Sequence, residues 1–171
     1  LLDPINPLHI NETELVKITP RAHDVDGDIL HYSINDSRFS ADENIFTWQT
    51  GFHDAGNYTF HVEVSDGTFR DQEDVTVIVH DTNRAPLFHS LILLQNMQED
   101  TPHIINLSRY FSDPDNDPLH YEVVDDGIHL TISIQGSMAT INPESNWFGS
   151  TKIKFGALDG HVQVESNLVD I

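Results

Sequence analysis

The sequence predicts an all-β protein built of two tandem antiparallel β-sandwiches, and three observations support this. Short segments with alternating apolar and polar residues, rich in β-branched and aromatic side chains, follow one another along the chain. Asp-Gly pairs and scattered Pro and Asn separate them at short spacing, and no segment keeps a helical period. The third observation is an internal repeat. About seven short strands in about 85 residues are typical of an immunoglobulin-like sandwich.

The repeat divides the chain into two copies that carry the same anchors in the same order. In copy one and copy two respectively, these anchors are DVDGD at 24–28 and DPDND at 113–117, Leu-His-Tyr at 30–32 and 119–121, and Glu12 and Glu99. Two copies are too few for a solenoid, and each is long enough to bury its own core. We therefore expect two domains, residues 1–82 and 83–171, joined by a short acidic linker within HDTNRAP at 80–86.

The strands are assigned in order from the alternating pattern. Those of the first copy are 13–19, 29–34, 44–48, 57–64 and 74–80. Those of the second are 102–107, 118–124, 130–134, 138–142, 151–158 and 165–171. The period of two predicts an inward-facing set in the first copy, namely Phe46, Trp48, Tyr58, Phe60, Val62 and Val64.

Composition excludes several classes of partner. The chain of 171 residues has 28 Asp and Glu against 8 Lys and Arg, a formal net charge of −20. Such a surface repels nucleic acid and anionic lipid headgroups and attracts divalent cations. No apolar run has the length of a membrane helix, so we expect no membrane insertion. The chain has no cysteine, and without an initiator Met it is interpreted as a mature product or an excised piece.

The order of strands in a sandwich brings acidic loops together at the ends of each domain. One end of the first copy gathers Asp24, Asp26 and Asp66. Its other end holds Glu12 and Asp54 and leads to Asp81 and Asn83 on the connecting chain. That end is expected to face an acidic end of the second copy, which gathers Asp113, Asp115 and Asp159.

This constellation predicts calcium. Calcium takes about six to eight oxygen ligands from carboxylates, amides and backbone, and no sulfur is present to favour zinc. An EF-hand is excluded, because positions six and twelve counted from Asp24 are Ile29 and Asn35 rather than Gly and Glu. The alternative is that Asp, Gly and Pro simply form polar turns. The duplication of the pattern favours calcium.

The residues also carry a family resemblance. The stretch EDTPHIINLSRYFSDPDNDPLHYEV, closed by FGALDG, resembles the cadherin-like repeats, including the dystroglycan-type variety, of bacterial and archaeal surface proteins. Copy one resembles the same group. The resemblance implies calcium between successive domains, with ligand roles for Glu12, Asp81, Asn83, Asp113, Asp115 and Asp159.

Two departures from the family pattern reduce the expected number of ions. Asp54 corresponds only loosely, because DAG stands where an acidic triplet is expected, and Arg84 places a positive charge in the linker. We therefore expect one or two ions at the junction. Asp24, Asp26 and Asp66 would form half of a site completed by a preceding domain or subunit.

Other functional patterns are weaker. The 11 histidines show no zinc-binding spacing, and His31 and His120 are expected to face solvent. No nucleophile motif or phosphate loop is present, and paired carboxylates suited to glycosidase chemistry lack an evident cleft. Four sequons favour a secreted, glycosylated surface; they begin at Asn11, Asn35, Asn57 and Asn106.

The sequence therefore predicts a non-catalytic extracellular module, structural or adhesive, that forms part of a surface layer, fibre or adhesin stalk. Its expected partners are neighbouring β-sandwich domains or identical subunits, arranged head to tail, and possibly surface glycans. The acidic ends also predict calcium-dependent growth into filaments, because heterologous contacts that do not close make open assemblies. The alternative is a carbohydrate- or ligand-binding accessory module of a secreted enzyme.

Overall fold

The protein is all-β, as the sequence predicts. The computed structural model describes residues 1–171 and contains sixteen strands and a single 3₁₀ turn, Leu107–Arg109. It divides into two compact units, Leu1–Thr82 and Asn83–Ile171, which are described separately as the first and second unit. None of its helical segments has the length and apolar character needed to cross a membrane.

The first unit is a sandwich of two sheets. Its strands are β1 (Leu8–Asn11), β2 (Leu15–Ile18), β3 (His31–Ile34), β4 (Ser40–Asp42), β5 (Ile45–Gln49), β6 (Gly56–Ser65) and β7 (Arg70–His80). One sheet has the order β1-β7-β6-β3 and the other the order β2-β5-β4. All pairs are antiparallel except β1 and β7, which run parallel with Leu8 opposite Val77 and Asn11 opposite His80.

Alternation along the strands of the first unit builds its core. The inner faces of the two sheets contribute Val16, Ile18, Phe46, Trp48, Phe60, Val62, Val75, Val77 and Val79. Along β6, burial alternates with exposure, so that Phe60 and Val62 are buried while Thr59 and His61 face solvent. The expected inward set is confirmed for all its members except Tyr58, which is only partly buried.

Arg38 covers one side of this core. Its guanidinium lies over the rings of Trp48, at 4.7 Å from the centroid, and Tyr58, at 4.6 Å. Asp36 holds it there by accepting from Nε and from a terminal nitrogen, each at 2.8 Å. These hydrogen bonds from Arg38 lower the pKa of Asp36 from 3.8 to about 2. The guanidinium thus packs on the aromatic residues at this side of the core.

The second unit has nine strands. They are β8 (Leu87–Phe88), β9 (His103–Asn106), β10 (Phe111–Ser112), β11 (His120–Asp125), β12 (Leu130–Gln135), β13 (Met138–Pro143), β14 (Lys152–Leu158), β15 (Gln163–Glu165) and β16 (Val169–Asp170). The main sheets have the orders β11-β14-β15 and β12-β13-β9; β16 also pairs with β14, and β8 pairs with β10. The core centres on Ile105, Leu107, Phe111, Ile141, Ile153 and Phe155.

The strand assignments made from alternation match the structure in location, but their ends differ: β6 and β7 are longer than predicted, whereas β2, β3 and β9 are shorter. Strands β4, β8 and β10 were not predicted because they are too short to show alternation. Strand β1 was also not predicted. The segment predicted as one strand from 165 to 171 is not continuous: it begins on the last residue of β15 and later contains β16. His31 and His120 are both exposed, as expected.

The pair of Asp36 and Arg38 predicts a pH-dependent stability of the first unit. Because folding lowers the pKa of Asp36, the pair stabilises the fold above the ordinary value of 3.8, and this stability is lost as the pH falls towards about 2. Asp36→Asn should lower the free energy of unfolding at neutral pH by about 1–2 kcal/mol, allowing for solvent screening. Trp48 fluorescence in a Trp147→Phe background would report the transition.

The matched control is Asp42→Asn, which removes an exposed carboxylate from the same unit. The control should unfold like the parent at every pH, whereas the deficit of Asp36→Asn should shrink between pH 4 and pH 2. A deficit that is constant over this range would show that the Asp36 charge does not contribute.

Candidate cation-binding loops

The first aspartate of each acidic cluster organises its own loop. In the first unit, Oδ1 of Asp24 accepts hydrogen bonds from the backbone nitrogens of Asp26, Gly27 and Asp28 at 2.8–3.0 Å. In the second unit, Oδ1 of Asp113 accepts from the backbone nitrogens of Asp115 and Asp117 at 2.8 and 3.1 Å. In both loops a single carboxylate oxygen is saturated by amides.

The fourth position of both loops has a left-handed backbone. Gly27 has φ of +81° and Asn116 has φ of +65°. Glycine adopts this conformation without strain, and asparagine is among the few other residues that tolerate it. The difference between DVDGD and DPDND is therefore conservative for the backbone, and the two clusters form the same turn.

The loops that follow β6 and β14 repeat the same arrangement. Oδ1 of Asp66 accepts from the backbone nitrogens of Thr68 and Phe69, both at 2.7 Å. Oδ1 of Asp159 accepts from those of His161 and Val162, at 2.6 and 2.7 Å.

These amide donors also set the charge of the two aspartates. The pKa of Asp66 is lowered mainly by the Phe69 amide, and the pKa of Asp159 mainly by the Val162 amide and then by the Asn83 side chain. Both carboxylates therefore stay ionised at neutral pH.

Two buried side-chain oxygens of the second unit belong to Asn83 and Asp113. The side-chain nitrogen of Asn83 donates to Oδ2 of Asp159 at 3.0 Å. Two buried oxygens have no hydrogen-bond partner, Oδ1 of Asn83 and Oδ2 of Asp113. Such acceptors normally face a donor or a cation, because an unsatisfied buried polar atom is destabilising.

Arg84 supplies a cation to part of this cluster. Its backbone nitrogen donates to Oδ2 of Asp115 at 2.7 Å, and its Nε donates to Oδ1 at 2.8 Å. A terminal nitrogen lies 2.6 Å from Oδ1 of Asp115 and donates to the carbonyl of Pro114. Both oxygens of Asp115 are therefore engaged by one arginine.

Glu12 is placed in the first unit as a buried brace. It is 2% exposed; Oε1 accepts from the backbone nitrogen of Ala55 at 2.9 Å and Oε2 from that of Thr82 at 3.2 Å. Glu99, its counterpart in the repeat, is exposed. Asp54 directly precedes Ala55, and its Oδ2 accepts from the backbone nitrogen of Gly51 at 2.7 Å.

The remaining predicted ligands are more open. Asp26 and Asp81 are exposed. Across residues 1–171, no group of three or more His, Cys, Asp or Glu side chains is arranged to hold a metal ion. Within the second unit, the predicted ligands Asn83 and Asp159 are in direct contact.

The four sequon asparagines differ in whether their side chains already make hydrogen bonds. Asn11 and Asn57, on β1 and β6, are exposed; Asn35 is also exposed, and Asn106 is half-buried. The side-chain oxygen of Asn35 accepts from the His61 backbone nitrogen at 2.9 Å. That of Asn106 accepts from the backbone nitrogen of Ser108 and caps the 3₁₀ turn. Asn11 and Asn57 are therefore the better placed glycosylation sites.

Two features of the loops were not identified from sequence. The bidentate contact of Arg84 with Asp115 joins residues 31 positions apart, and the only signal was the unexpected positive charge in the linker. The second is the bracing role of Glu12. Its partners are backbone amides, which every residue type except proline carries, so the sequence gives no sign of the contact.

The geometry of Glu12 predicts a structural effect separable from metal binding. In the parent, both oxygens of Glu12 accept from backbone N–H groups. Glu12→Gln would replace one of these acceptors with an NH₂ donor and leave a backbone N–H unsatisfied, so the free energy of unfolding of the first unit should fall by about 1–3 kcal/mol. Urea unfolding in the presence of a chelator measures this. Asp26→Asn, at an exposed position, is the control with the same change of charge; equal stability of the two variants would contradict the bracing role.

Comparison with known proteins gives the family. Residues 82–171 match the family model described as a cadherin-like domain. No curated protein sequence is significantly similar to the chain.

Solved structures are similar to the whole chain. Human protocadherin-24 EC1-2 is 16% identical, with a TM-score of 0.54 over 96% of this chain and 92% of that one. Protocadherin gamma B2 extracellular cadherin domains 1–5 are 16% identical, with a TM-score of 0.59 over 98% of this chain and 38% of that one. An endo-fucoidan hydrolase from glycoside hydrolase family 107 is 17% identical, with a TM-score of 0.43; this chain spans 27% of its length.

At these identities the protocadherin structures establish the fold alone, and the similarity to the hydrolase is too low to support an argument. The family match is different in kind, because it rests on the sequence and covers more than half of the chain. The chain belongs to the cadherin-like domain family.

Proposed function

We propose that the chain is a non-catalytic extracellular module, structural or adhesive, of calcium-rigidified tandem β-sandwiches, and that it forms part of a surface layer, fibre or adhesin stalk. The observation that carries the proposal is the pair of buried, unpartnered acceptors in the second unit, Oδ2 of Asp113 and Oδ1 of Asn83. Membership of the cadherin-like family supports it.

The chemistry of these acceptors fits calcium. A carboxylate oxygen and an amide oxygen are both hard ligands, which calcium prefers to nitrogen or sulfur. Asp159 contacts the side chain of Asn83 and stays ionised because its pKa is lowered. Bound calcium would supply the positive charge that these oxygens lack, and Asn83, Asp113 and Asp159 would hold it.

Arg84 limits how many ions this cluster takes. A calcium ion that used Asp115 would have to share the carboxylate with the guanidinium or displace it, since both oxygens contact Arg84. Displacement would also break the bond to the Pro114 carbonyl. We infer that Arg84 replaces one cation of the cluster, so that fewer ions bind than the number of carboxylates suggests.

The mechanical role follows from electrostatics. In a chain with a net charge of −20, neighbouring ionised loops repel one another. Calcium bound to the loops would remove this repulsion and restrict the motion of the connecting residues, because several ligands from different segments converge on one ion. Stiffening of this kind needs no catalytic group.

Partners and location remain part of the proposal. The partners that suit such a module are further β-sandwich domains or identical subunits, arranged head to tail and bound through acidic ends of the kind formed by Asp24, Asp26 and Asp66. Exposed sequons at Asn11 and Asn57 suit an extracellular, glycosylated surface.

A second candidate function rests on two neighbouring aromatic residues, one exposed and one half-buried. Phe148 is 82% exposed and, with the half-buried Trp147, lines a shallow cavity of about 230 Å³ in the second unit. Exposed aromatic rings at a polar cavity are suited to stacking on sugar rings, as an accessory module would require. Loss of glycan retention on Phe148→Ala in affinity electrophoresis would favour this role; no retention of the parent chain would exclude it.

The calcium proposal predicts a metal-dependent stability. Millimolar calcium should raise the melting temperature by several degrees over that in chelator, because a ligand that binds only the folded state stabilises it. Asp113→Asn should lose most of this rise while its melting temperature in chelator changes little. The control, Asp126→Asn, removes an exposed carboxylate from another loop and should keep the full rise. Identical melting curves in calcium and in chelator would contradict the proposal.

The inference about Arg84 predicts the opposite direction of change. Arg84→Gln removes the positive charge that engages Asp115, so calcium should bind about three- to tenfold more tightly, the effect of one nearby charge in a partly solvated site. Isothermal titration calorimetry of the variant against the parent measures this. Arg109→Gln is a control for the change in net charge. Weaker calcium binding by Arg84→Gln would show that the guanidinium supports the site.

A further inference from the structure

Two histidines meet on the outer face of the first unit. His9 lies on β1 and His80 at the end of β7, the two strands that pair in parallel. Nδ1 of His9 is 3.3 Å from Nε2 of His80, and both residues are exposed. Neither histidine belongs to the set Asn83, Asp113 and Asp159 that the proposed function uses, although His80 lies three positions before Asn83 along the chain.

The rings meet through these nitrogens. Their planes differ by 19° and their centroids are 5.6 Å apart. Since the nitrogens are much closer than the centroids, the rings lie edge to edge rather than face to face. A neutral imidazole carries one N–H and one lone pair, so one ring donates to the other in this arrangement.

The same separation suits two ligands of one metal ion. With metal–nitrogen bonds of about 2.0–2.1 Å, a nitrogen separation of 3.3 Å corresponds to an angle of about 107° at the metal, close to tetrahedral. Both exposed rings would have to rotate to point their lone pairs at that position, because the two nitrogens now face one another. Imidazole nitrogen is a preferred ligand of zinc and copper and a poor ligand of calcium.

We propose that His9 and His80 form a two-ligand site for a divalent transition metal ion of the zinc or copper class, with water completing the coordination. The ion joins β1 to β7 through side chains. This bond adds to a contact that β1 otherwise makes on one side only, because β1 is an edge strand of its sheet. The site is chemically distinct from the calcium loops, and either can exist without the other.

Zinc titration of the intact chain tests the proposal. Calcium is held at a constant millimolar level so that carboxylates are occupied, and the melting temperature of the first unit is followed with rising zinc. The parent chain should show a saturable rise, since zinc binds only the paired, folded strands. His9→Asn and His80→Asn should each lose most of the rise. The matched control, His31→Asn, removes an exposed histidine from β3 at the opposite edge of the same sheet and should retain it.

Imidazole nitrogen resonances provide a second readout that does not depend on the variants. In the parent chain, the signals of His9 Nδ1 and His80 Nε2 should shift together with one binding curve. The proposal is overturned if the zinc-induced rise is the same in all variants, or if only one of the two histidines is required. It is also overturned if the two imidazole signals respond with different curves.

Discussion

Repulsion among carboxylates that the chain gathers in short loops is the constraint on which its remaining features depend. The loops after β2, β6, β10 and β14 solve part of this problem with backbone amides. In each, one aspartate oxygen accepts two or three N–H groups and thereby fixes the turn. The negative charge is kept, as the lowered pKa values of Asp66 and Asp159 show, and the second oxygen remains for another partner.

The identity of that second partner distinguishes the loops of the second unit. Asp159 uses its second oxygen for Asn83, and Asp115 is held by Arg84, whereas the second oxygen of Asp113 is buried without a donor. The Asn83 amide and the Arg84 guanidinium therefore satisfy two of these carboxylates from within the chain. Oδ2 of Asp113 and Oδ1 of Asn83 still have no partner, and we assign calcium to these two oxygens.

Features repeated locally in the sequence could be predicted, whereas features that join distant residues could not. Alternation predicted the core positions of β5 and β6, and duplication indicated that DVDGD and DPDND form equivalent loops. The same duplication equated Glu12 with Glu99, yet Glu12 is buried against amides and Glu99 is exposed. Contacts such as Arg38 over Trp48 or His9 beside His80 depend on side-chain direction across the sandwich, which periodicity does not contain.

Backbone amide spectra during a calcium titration test the central claim most directly. The amides of Arg84, Asp115, His161 and Val162 donate to the carboxylates of Asp113, Asp115 and Asp159, so they should report an ion bound to these loops. The account predicts that these signals shift together and saturate at a small number of ions per chain, while amides near Asp126 remain unchanged. Weak, unsaturated shifts spread evenly over every acidic residue would contradict it, because they would show calcium acting only as a screening ion.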